Sequence, residues 1–198
     1  MGHVPLLDAD TLTGFGADVC ERLTTKEVRH AAGYIGKITT TVCTKLVQRG
    51  IANGDYTICH CRKAHIRKEL LTDLLWFRGR LPAEGGPFSR PLKVDTITLA
   101  CEIELGETAE AVLEEFVKLT AVRTTQHLIV VLAPERWTKG TRYSDHVEEY
   151  SLATFNEACA SFRSLTPGGT GDYAAVSLIP PPGRTSGQWH NRVCHWNS

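Results

Sequence analysis

The amino-acid sequence predicts an α/β fold, and three features of its second half indicate this class. The stretch "KVDTITLACEIEL" alternates apolar and polar residues over ten positions, as a half-buried strand does. A helical pattern follows over residues 107–121, with apolar residues three and four apart. The stretch "HLIVVLA" is short and wholly apolar, which is typical of a strand buried on both faces. Strand, helix and strand in this order predict at least one right-handed crossover.

The chain is 198 residues long, which is enough for one domain with a sizeable core. No shift in composition marks a second domain. We therefore expect a single domain with a mostly helical part over residues 1–60, a core over residues 61–180 and an irregular tail over residues 181–198.

The N-terminal part carries two helical patterns. Asp8 or Asp10 is placed to cap the first helix. The second helix has an apolar stripe from Val28 to Val47 and ends at Gly50. The threonines at 39–41 weaken its helical propensity. "DYTICHC" then reads as a short strand.

Towards the C-terminus, one helix and one strand are predicted beyond "HLIVVLA". The helix is "SDHVEEYSLATFNEACASFRSL", with Ser144 as its cap. The strand is "DYAAVSLIPPP", which its prolines end. The residues after these prolines show no clear period.

Composition excludes some classes of protein. Lys+Arg and Asp+Glu number 22 each, so the chain has no net charge that would attract it to nucleic acid or membrane. A local basic patch is still compatible with this balance. No apolar run approaches the ~20 residues of a membrane span, and the N-terminus does not resemble a signal peptide. The seven cysteines are odd in number and irregularly spaced, which favours reduced thiols in a cytoplasm.

Two carboxylates stand out in the clearest predicted strand. Glu102 and Glu104 are two residues apart, so their side chains share a face. On an exposed edge strand they would only repel each other slightly. Together with further acids they could instead bind Mg²⁺, which activates water and neutralises charge at a phosphodiester.

The segment "CEIE" resembles the acidic motif of the PD-(D/E)XK nuclease superfamily, which includes many restriction enzymes. That motif has one acid at a strand, then acid-any-Lys on the next strand of a hairpin. The resemblance implies Glu102 as an acid of the site and puts Glu104 where lysine usually stands. Some members carry Glu there, and others supply the lysine from the following helix, where Lys118 of "EEFVKL" lies.

A second segment carries the same resemblance. "RKELLTDLLWF" is similar to the "REWLYDLTW" segment of uncharacterised proteins of the superfamily, in which a "CEWG" strand and a "DFxKLL" helix follow. The order here is the same, over about residues 67–132, a third of the chain. Leu70 and Ile103 replace the tryptophans of the family segments.

The resemblance implies a restriction-endonuclease-like core, a mixed sheet flanked by helices, that binds Mg²⁺ or Mn²⁺. Asp73 and Glu102 would be the metal ligands, with Glu69 assisting if its segment is helical. Asp95 competes with Asp73 as first acid, but it lies seven residues before Glu102 and faces the other way in a continuous strand. A bulge would undo that argument.

The choice between Glu104 and Lys118 for orienting the attacking water stays open. Glu104 shares a face with Glu102. Lys118 lies nearly opposite the apolar stripe of its helix, which favours a surface position, while the resemblance favours a catalytic one.

Two further groups of residues are candidates for binding, one for phosphate and one for zinc. A basic cluster precedes Asp73 and is a candidate for phosphate contact, although such runs are usually solvated surface: Arg62, Lys63, Arg67 and Lys68. The cysteines and histidines of "CHCRKAH", together with His190, Cys194 and His195 of the tail, could form a zinc site. Their Cys-any-Cys spacing is tighter than zinc sites use, and buried cysteines with surface histidines explain them as well.

The leading hypothesis from the sequence is therefore a cytoplasmic, Mg²⁺-dependent DNA endonuclease of restriction-enzyme-like fold. It would be a type II restriction enzyme or another defence nuclease, and a homodimer would let each subunit cut one strand. The alternative is a catalytically inactive binding protein on the same fold, in a defence or regulatory complex, which the missing lysine of "EIE" favours.

Overall fold

A computed structural model describes residues 8–24, 34–68, 72–81, 92–105, 109–132, 171–181 and 187–197. Within them lie three helices and six strands. The helices are α1 (Ala9–Thr24), α2 (Tyr34–Ala52) and α3 (Ala109–Thr120). The strands are β1 (Tyr56–Cys59), β2 (Leu74–Arg80), β3 (Lys93–Glu104), β4 (Gln126–Leu132), β5 (Asp172–Ile179) and β6 (His190–Asn197).

The strands form one mixed sheet in the order β1-β2-β3-β4-β5-β6. β1, β2 and β3 are antiparallel neighbours, β3, β4 and β5 run parallel, and β6 pairs antiparallel with β5. The α/β class and the mixed sheet flanked by helices are thus confirmed. The ends of β3, β4 and β5 and the start of β6 meet at one edge, here called the carboxyl edge.

Local chemistry explains both N-terminal helices. Asp8 caps α1, because its Oδ1 accepts a hydrogen bond from the Thr11 N–H at 2.7 Å. α2 runs through the threonines that were expected to weaken it. The hydroxyls of Thr40 and Thr41 donate to carbonyls four residues back, at 2.7 and 2.8 Å, so the helix keeps its geometry. It ends two residues before Gly54, whose φ of 79° suits glycine.

Apolar side chains pack on both faces of the sheet. On one face they contact α1 and α2, and this side is called the α1–α2 face; it includes Leu74, Leu99 and Cys101. On the other they contact α3, and this side is called the α3 face; it includes Ala100 and Ile129. Every residue of β4 is buried, as its apolar sequence predicted.

β3 alternates as predicted from Leu99 to Leu105, but the expected alternation is wrong at Ile97. The register passes from Trp76↔Leu99 to Phe77↔Ile97, so Thr98 is an extra residue in a bulge. Ile97 therefore packs on the α3 face rather than beside Leu99.

One further sequence expectation is corrected. Residues 190–197 form β6 rather than an irregular tail. Residues 60–65, which follow β1, form turns and bends, and the Ile66 N–H donates to the Thr57 carbonyl at 3.0 Å. The predicted helix of "SDHVEEYSLATFNEACASFRSL" lies outside the described residues.

No helix in the described part of the chain is long and apolar enough to cross a membrane. The six described cysteines are free thiols.

Candidate functional site

Asp73 and Glu102 meet where β2 begins and β3 nears its end. The pairing of Leu74 with Cys101 brings the residue before β2 beside Glu102. The Asp73 N–H donates to Glu102 Oε2 at 3.3 Å, and the Ile103 N–H donates to Asp73 Oδ2 at 2.8 Å. These two bonds continue the ladder of β2 and β3 through side chains and fix both carboxylates at the carboxyl edge.

α3 brings two more charged residues to this position. Phe116 and Leu119 bury its apolar side against the sheet. Glu115 precedes Phe116 and is largely buried, whereas the Lys118 side chain is 54% exposed. Lys118 Nζ forms an ion pair with Glu115 Oε1. Within the described residues, Glu115 Oε2 is buried and accepts no hydrogen bond.

The electrostatics show that these four residues act on one another. Burial first, and then the charges of the Asp73 and Glu115 carboxylates, raise the pKa of Glu102 to about 8. The Asp73 N–H and the Lys118 ammonium oppose this rise. The pKa of Lys118 is also raised, first by its hydrogen bond to Glu115 and then by the charges of Glu115, Glu102 and Asp73. One ammonium therefore faces three carboxyl groups, and a further cation would lower their mutual repulsion.

The remaining acids named from the sequence lie differently. Glu104 is the last residue of β3, half-buried, two positions beyond Glu102. Asp95 is exposed and pairs with Lys93 Nζ at 2.8 Å. The bulge at Thr98 undoes the argument from strand parity, but Asp95 is seven residues from Glu102, about 23 Å along an extended strand, so it does not join the group. Glu69 lies outside the described residues.

The basic cluster lies on the loop that follows β1. Its four side chains are exposed: Arg62, Lys63, Arg67 and Lys68. Cys59, the last residue of β1, pairs with Leu74, so this loop leaves the sheet at the same edge as Asp73. The structure thus brings the basic loop and the carboxylates to one edge.

The histidines and cysteines of the candidate zinc site do not lie together in the structure. Those of the "CHCRKAH" segment lie at the β1 end of the sheet, and His190, Cys194 and His195 lie on β6 at the opposite end. The joint zinc site is therefore wrong. Across the described ranges, no three or more His, Cys, Asp or Glu side chains are arranged to hold a metal ion, which includes the carboxylates near Glu102.

Glu115 was missed as a site residue by sequence reasoning, although a signal for it existed. It stands three residues after Val112 and four before Leu119, which are both buried. An acid at that spacing lies on the apolar side of the helix. A charged residue in such a position needs a partner of opposite charge, and that partner here is Lys118.

Comparisons of the chain with protein-family models, with curated proteins and with solved structures find no match.

Proposed function

We propose that this protein is a metal-dependent endonuclease that hydrolyses phosphodiester bonds in DNA. The observation that carries the proposal is the convergence of Asp73, Glu102, Glu115 and Lys118 at the carboxyl edge of the sheet. Carboxyl groups can supply metal ligands and a lysine can stabilise negative charge, and both suit a metal-assisted attack on a phosphodiester.

The donor set suits a hard divalent cation. Carboxylate oxygens are the ligands that Mg²⁺ and Mn²⁺ prefer. Asp73 and Glu102 would hold the ion, and Glu115 Oε2, which accepts no hydrogen bond from the described residues, is a third candidate oxygen. In the present arrangement Asp73 Oδ2 accepts a hydrogen bond from the Ile103 N–H, so binding an ion requires these side chains to rearrange. When bound, the ion supplies an activated water and neutralises charge on the phosphate.

Lys118 is suited to stabilise negative charge rather than to remove a proton. Its raised pKa keeps the ammonium protonated at neutral pH. An ammonium beside the scissile phosphate would favour the attacking hydroxide and the charge that develops in the transition state. Glu104, at the end of β3, would support the metal or accept a proton from water.

The topology is compatible with the restriction-endonuclease-like core that the sequence resemblance implies. The strands that carry the acids, β2 and β3, are antiparallel neighbours. α3 follows β3 and leads into β4, which is parallel to β3. Lys118 thus comes from the helix after the acidic strand, where some members of the superfamily carry their lysine.

The exposed basic loop beside Asp73 supports DNA as the substrate. DNA affinity is largely electrostatic, and Lys63 and Arg67 on this loop are free to reach phosphates next to the cut. A double-strand cut would require two such sites, and a homodimer would provide them.

A second candidate is a nuclease-like binding protein without catalysis. It is favoured by the lack of a ready-made ligand group within the described ranges and by Glu104 at the position of the motif lysine. Such a protein would bind DNA through the basic loop and would not cut it with any metal.

A cleavage assay on supercoiled plasmid separates the two functions. We expect wild-type protein to nick or linearise the plasmid with Mg²⁺ or Mn²⁺ and not with EDTA. Glu102→Ala should abolish cleavage and keep the fold, and Glu114→Ala, an exposed acid on the same helix as Glu115, should cleave normally. Unchanged cleavage by Glu102→Ala would refute the proposed site, and DNA binding without cleavage by wild type would favour the second candidate.

A further inference from the structure

Lys118 has two acids within reach on its own helix, and the structure pairs it with the more buried one. Glu114 lies four residues before Lys118 and is exposed. A glutamate at this spacing ahead of a lysine is a favourable surface partner on a helix. The Nζ of Lys118 instead donates a hydrogen bond to Oε1 of Glu115, three residues before it. The ammonium therefore leans towards the sheet rather than along the solvent-facing side of α3.

Packing holds Glu115 more firmly than Lys118. The Glu115 side chain is 15% exposed, against 54% for Lys118. Its neighbour Phe116, together with Val112 and Leu119, buries the apolar side of α3 against the sheet. A lysine side chain has four rotatable bonds, so it loses much conformational entropy when its position is fixed. In this pair the packed carboxylate sets the position of the mobile ammonium.

The pair of Glu115 and Lys118 lies beside the carboxyl groups at the end of β3. Burial and the charge of Asp73 raise the pKa of Glu102, the charge of Glu115 adds to this rise, and the Lys118 ammonium opposes it. The pKa of Lys118 is raised first by its hydrogen bond to Glu115, and the charges of Glu115, Glu102 and Asp73 add to that rise. Both members of the pair are therefore within electrostatic reach of Glu102.

We propose that Glu115 is a positioning residue for Lys118: its carboxylate holds the ammonium towards Asp73 and Glu102, an inference that rests on the proposed function. The proposed reaction needs the ammonium beside the scissile phosphate. An exposed lysine without a fixed partner would spend only a small part of its time there. Glu115 thus acts on the reaction through Lys118 and does not need to touch the substrate.

An ordinary surface ion pair would behave differently from this arrangement. Such pairs contribute little to stability, and a lysine can pair with acids either three or four residues away. Glu114 would then serve Lys118 as well as Glu115 does, and replacing either acid would have a similar effect. The two adjacent glutamates, one largely buried and one exposed, are therefore matched positions at which to compare the same substitution.

Acetylation of the full chain by acetic anhydride in EDTA tests the position of Lys118 without any nuclease activity. Only the free amine reacts, so the rate at each lysine, measured by peptide mass spectrometry, reports the deprotonated fraction. We expect Glu115→Gln to raise the rate at Lys118, relative to the exposed Lys37, by about threefold or more, because it removes the hydrogen bond and the charge that raise the pKa of Lys118. Glu114→Gln should leave this ratio unchanged. No increase in Glu115→Gln, or an equal increase in both variants, would overturn the inference.

Single-turnover cleavage of plasmid DNA in saturating Mg²⁺ then tests whether Glu115 acts through Lys118. Glu115→Gln should cut about tenfold more slowly than wild type and, added to Lys118→Ala, should cause no further loss, whereas Glu114→Gln should cut at the wild-type rate. A further loss in the double variant would overturn the inference, since Glu115 would then act on the ion or on the fold. If wild type cuts no DNA, the proposed function is refuted, and the acetylation rates alone decide whether Glu115 holds Lys118.

Discussion

Two consecutive residues of β3 place opposite chemistries on the two faces of the sheet. Cys101 faces the α1–α2 side, where it packs with Cys43 and Cys59 in the apolar core. Burial, and then the negative charges of Asp73 and Glu102, hold the pKa of Cys101 well above its usual range. A hydrogen bond with Cys59, and then burial, raise the pKa of Cys43. These thiols are neutral at physiological pH and behave as small apolar groups.

Glu102 faces the α3 side, where burial also raises its pKa. The outcome differs because its neighbours Asp73 and Glu115 are also carboxyl groups, whose charges add to the effect of burial on Glu102. Burial thus leaves the thiols as an inert apolar core, whereas burial beside other carboxyl groups adds the repulsion that we propose a cation relieves.

The largest effect is expected at Lys118, the single ammonium facing the carboxylates in the described site. Lys118→Ala should lower the single-turnover rate of DNA cleavage by roughly 10²-fold or more, and added Mg²⁺ should not restore it, because a lost transition-state charge is not replaced by more metal. Glu104→Ala is the matched variant, and high Mg²⁺ should partly rescue it if Glu104 supports the metal. A Lys118→Ala enzyme that cuts at full rate would exclude the helix-borne lysine.

The free energy of unfolding of the metal-free protein should depend on pH through the ionisation of Glu102. Its pKa rises from an ordinary 4.5 to about 8 on folding, so between these values the folded protein holds a proton that the unfolded chain has lost. The contribution of this carboxyl to stability is therefore present below pH 4.5 and is lost as pH rises to about 8. The full shift corresponds to about 5 kcal/mol, which solvent screening at the sheet edge should reduce to about 2 kcal/mol.

Urea unfolding in EDTA at several pH values measures this effect. Glu102→Gln should remove the decline in the free energy of unfolding above pH 5, while Glu114→Gln should keep it. If the free energy of unfolding falls equally in wild type and in Glu102→Gln as the pH rises, the carboxylates do not repel one another as described.

On the α1–α2 face, stability should depend on the polarity of the side chain at residue 101 rather than on pH. Cys101→Ser puts a hydroxyl into the apolar core and should lower the free energy of unfolding by about 1–2 kcal/mol. Cys61→Ser is the control, since Cys61 is partly exposed and its sulfur lies 3.5 Å from Thr44 Oγ1, a contact that serine can also make. We expect less than about 0.5 kcal/mol there. Equal losses at both positions would contradict the view of Cys101 as a packed apolar group.

Sequence patterns predicted the elements whose structure is locally encoded. Both strands were predicted correctly, β3 from its alternation after Leu99 and β4 from its apolar run. The alternation also predicted the face on which Glu102 lies. β6 was missed because its polar sequence carries no clear period, and it is a strand through pairing with β5. The bulge at Thr98 was also not predicted, since it depends on how β2 and β3 align.

The candidate site was only partly accessible from the sequence for the same reason. The proximity of Glu102 and Asp73 follows from the register of two strands that are distant in the chain. Glu115 was overlooked because an acid on an amphipathic helix is usually solvated, and only the packing of Phe116 shows that it turns inward.

The smallest effect is expected at the basic loop, which approaches the carboxylates from outside. Replacing Lys63 and Arg67 by Ala should weaken DNA binding and lower the slope of log affinity against log salt by about one per lost phosphate contact. Lys37→Ala, an exposed lysine near the start of α2, is a single-site control. An unchanged slope in the double variant would show that this loop is ordinary solvated surface and does not contact phosphates.

The proposed site requires that the converging carboxylates hold a divalent cation, and calorimetric titration of the metal-free protein with Mn²⁺ measures this binding. We predict one ion per chain for wild type, at least tenfold weaker binding by Asp73→Asn and by Glu102→Gln, and unchanged binding by Asp95→Asn, because Asp95 lies apart from the group and pairs with Lys93. Absence of Mn²⁺ binding, or equal affinities in wild type and in the Asp73 and Glu102 variants, would contradict the account.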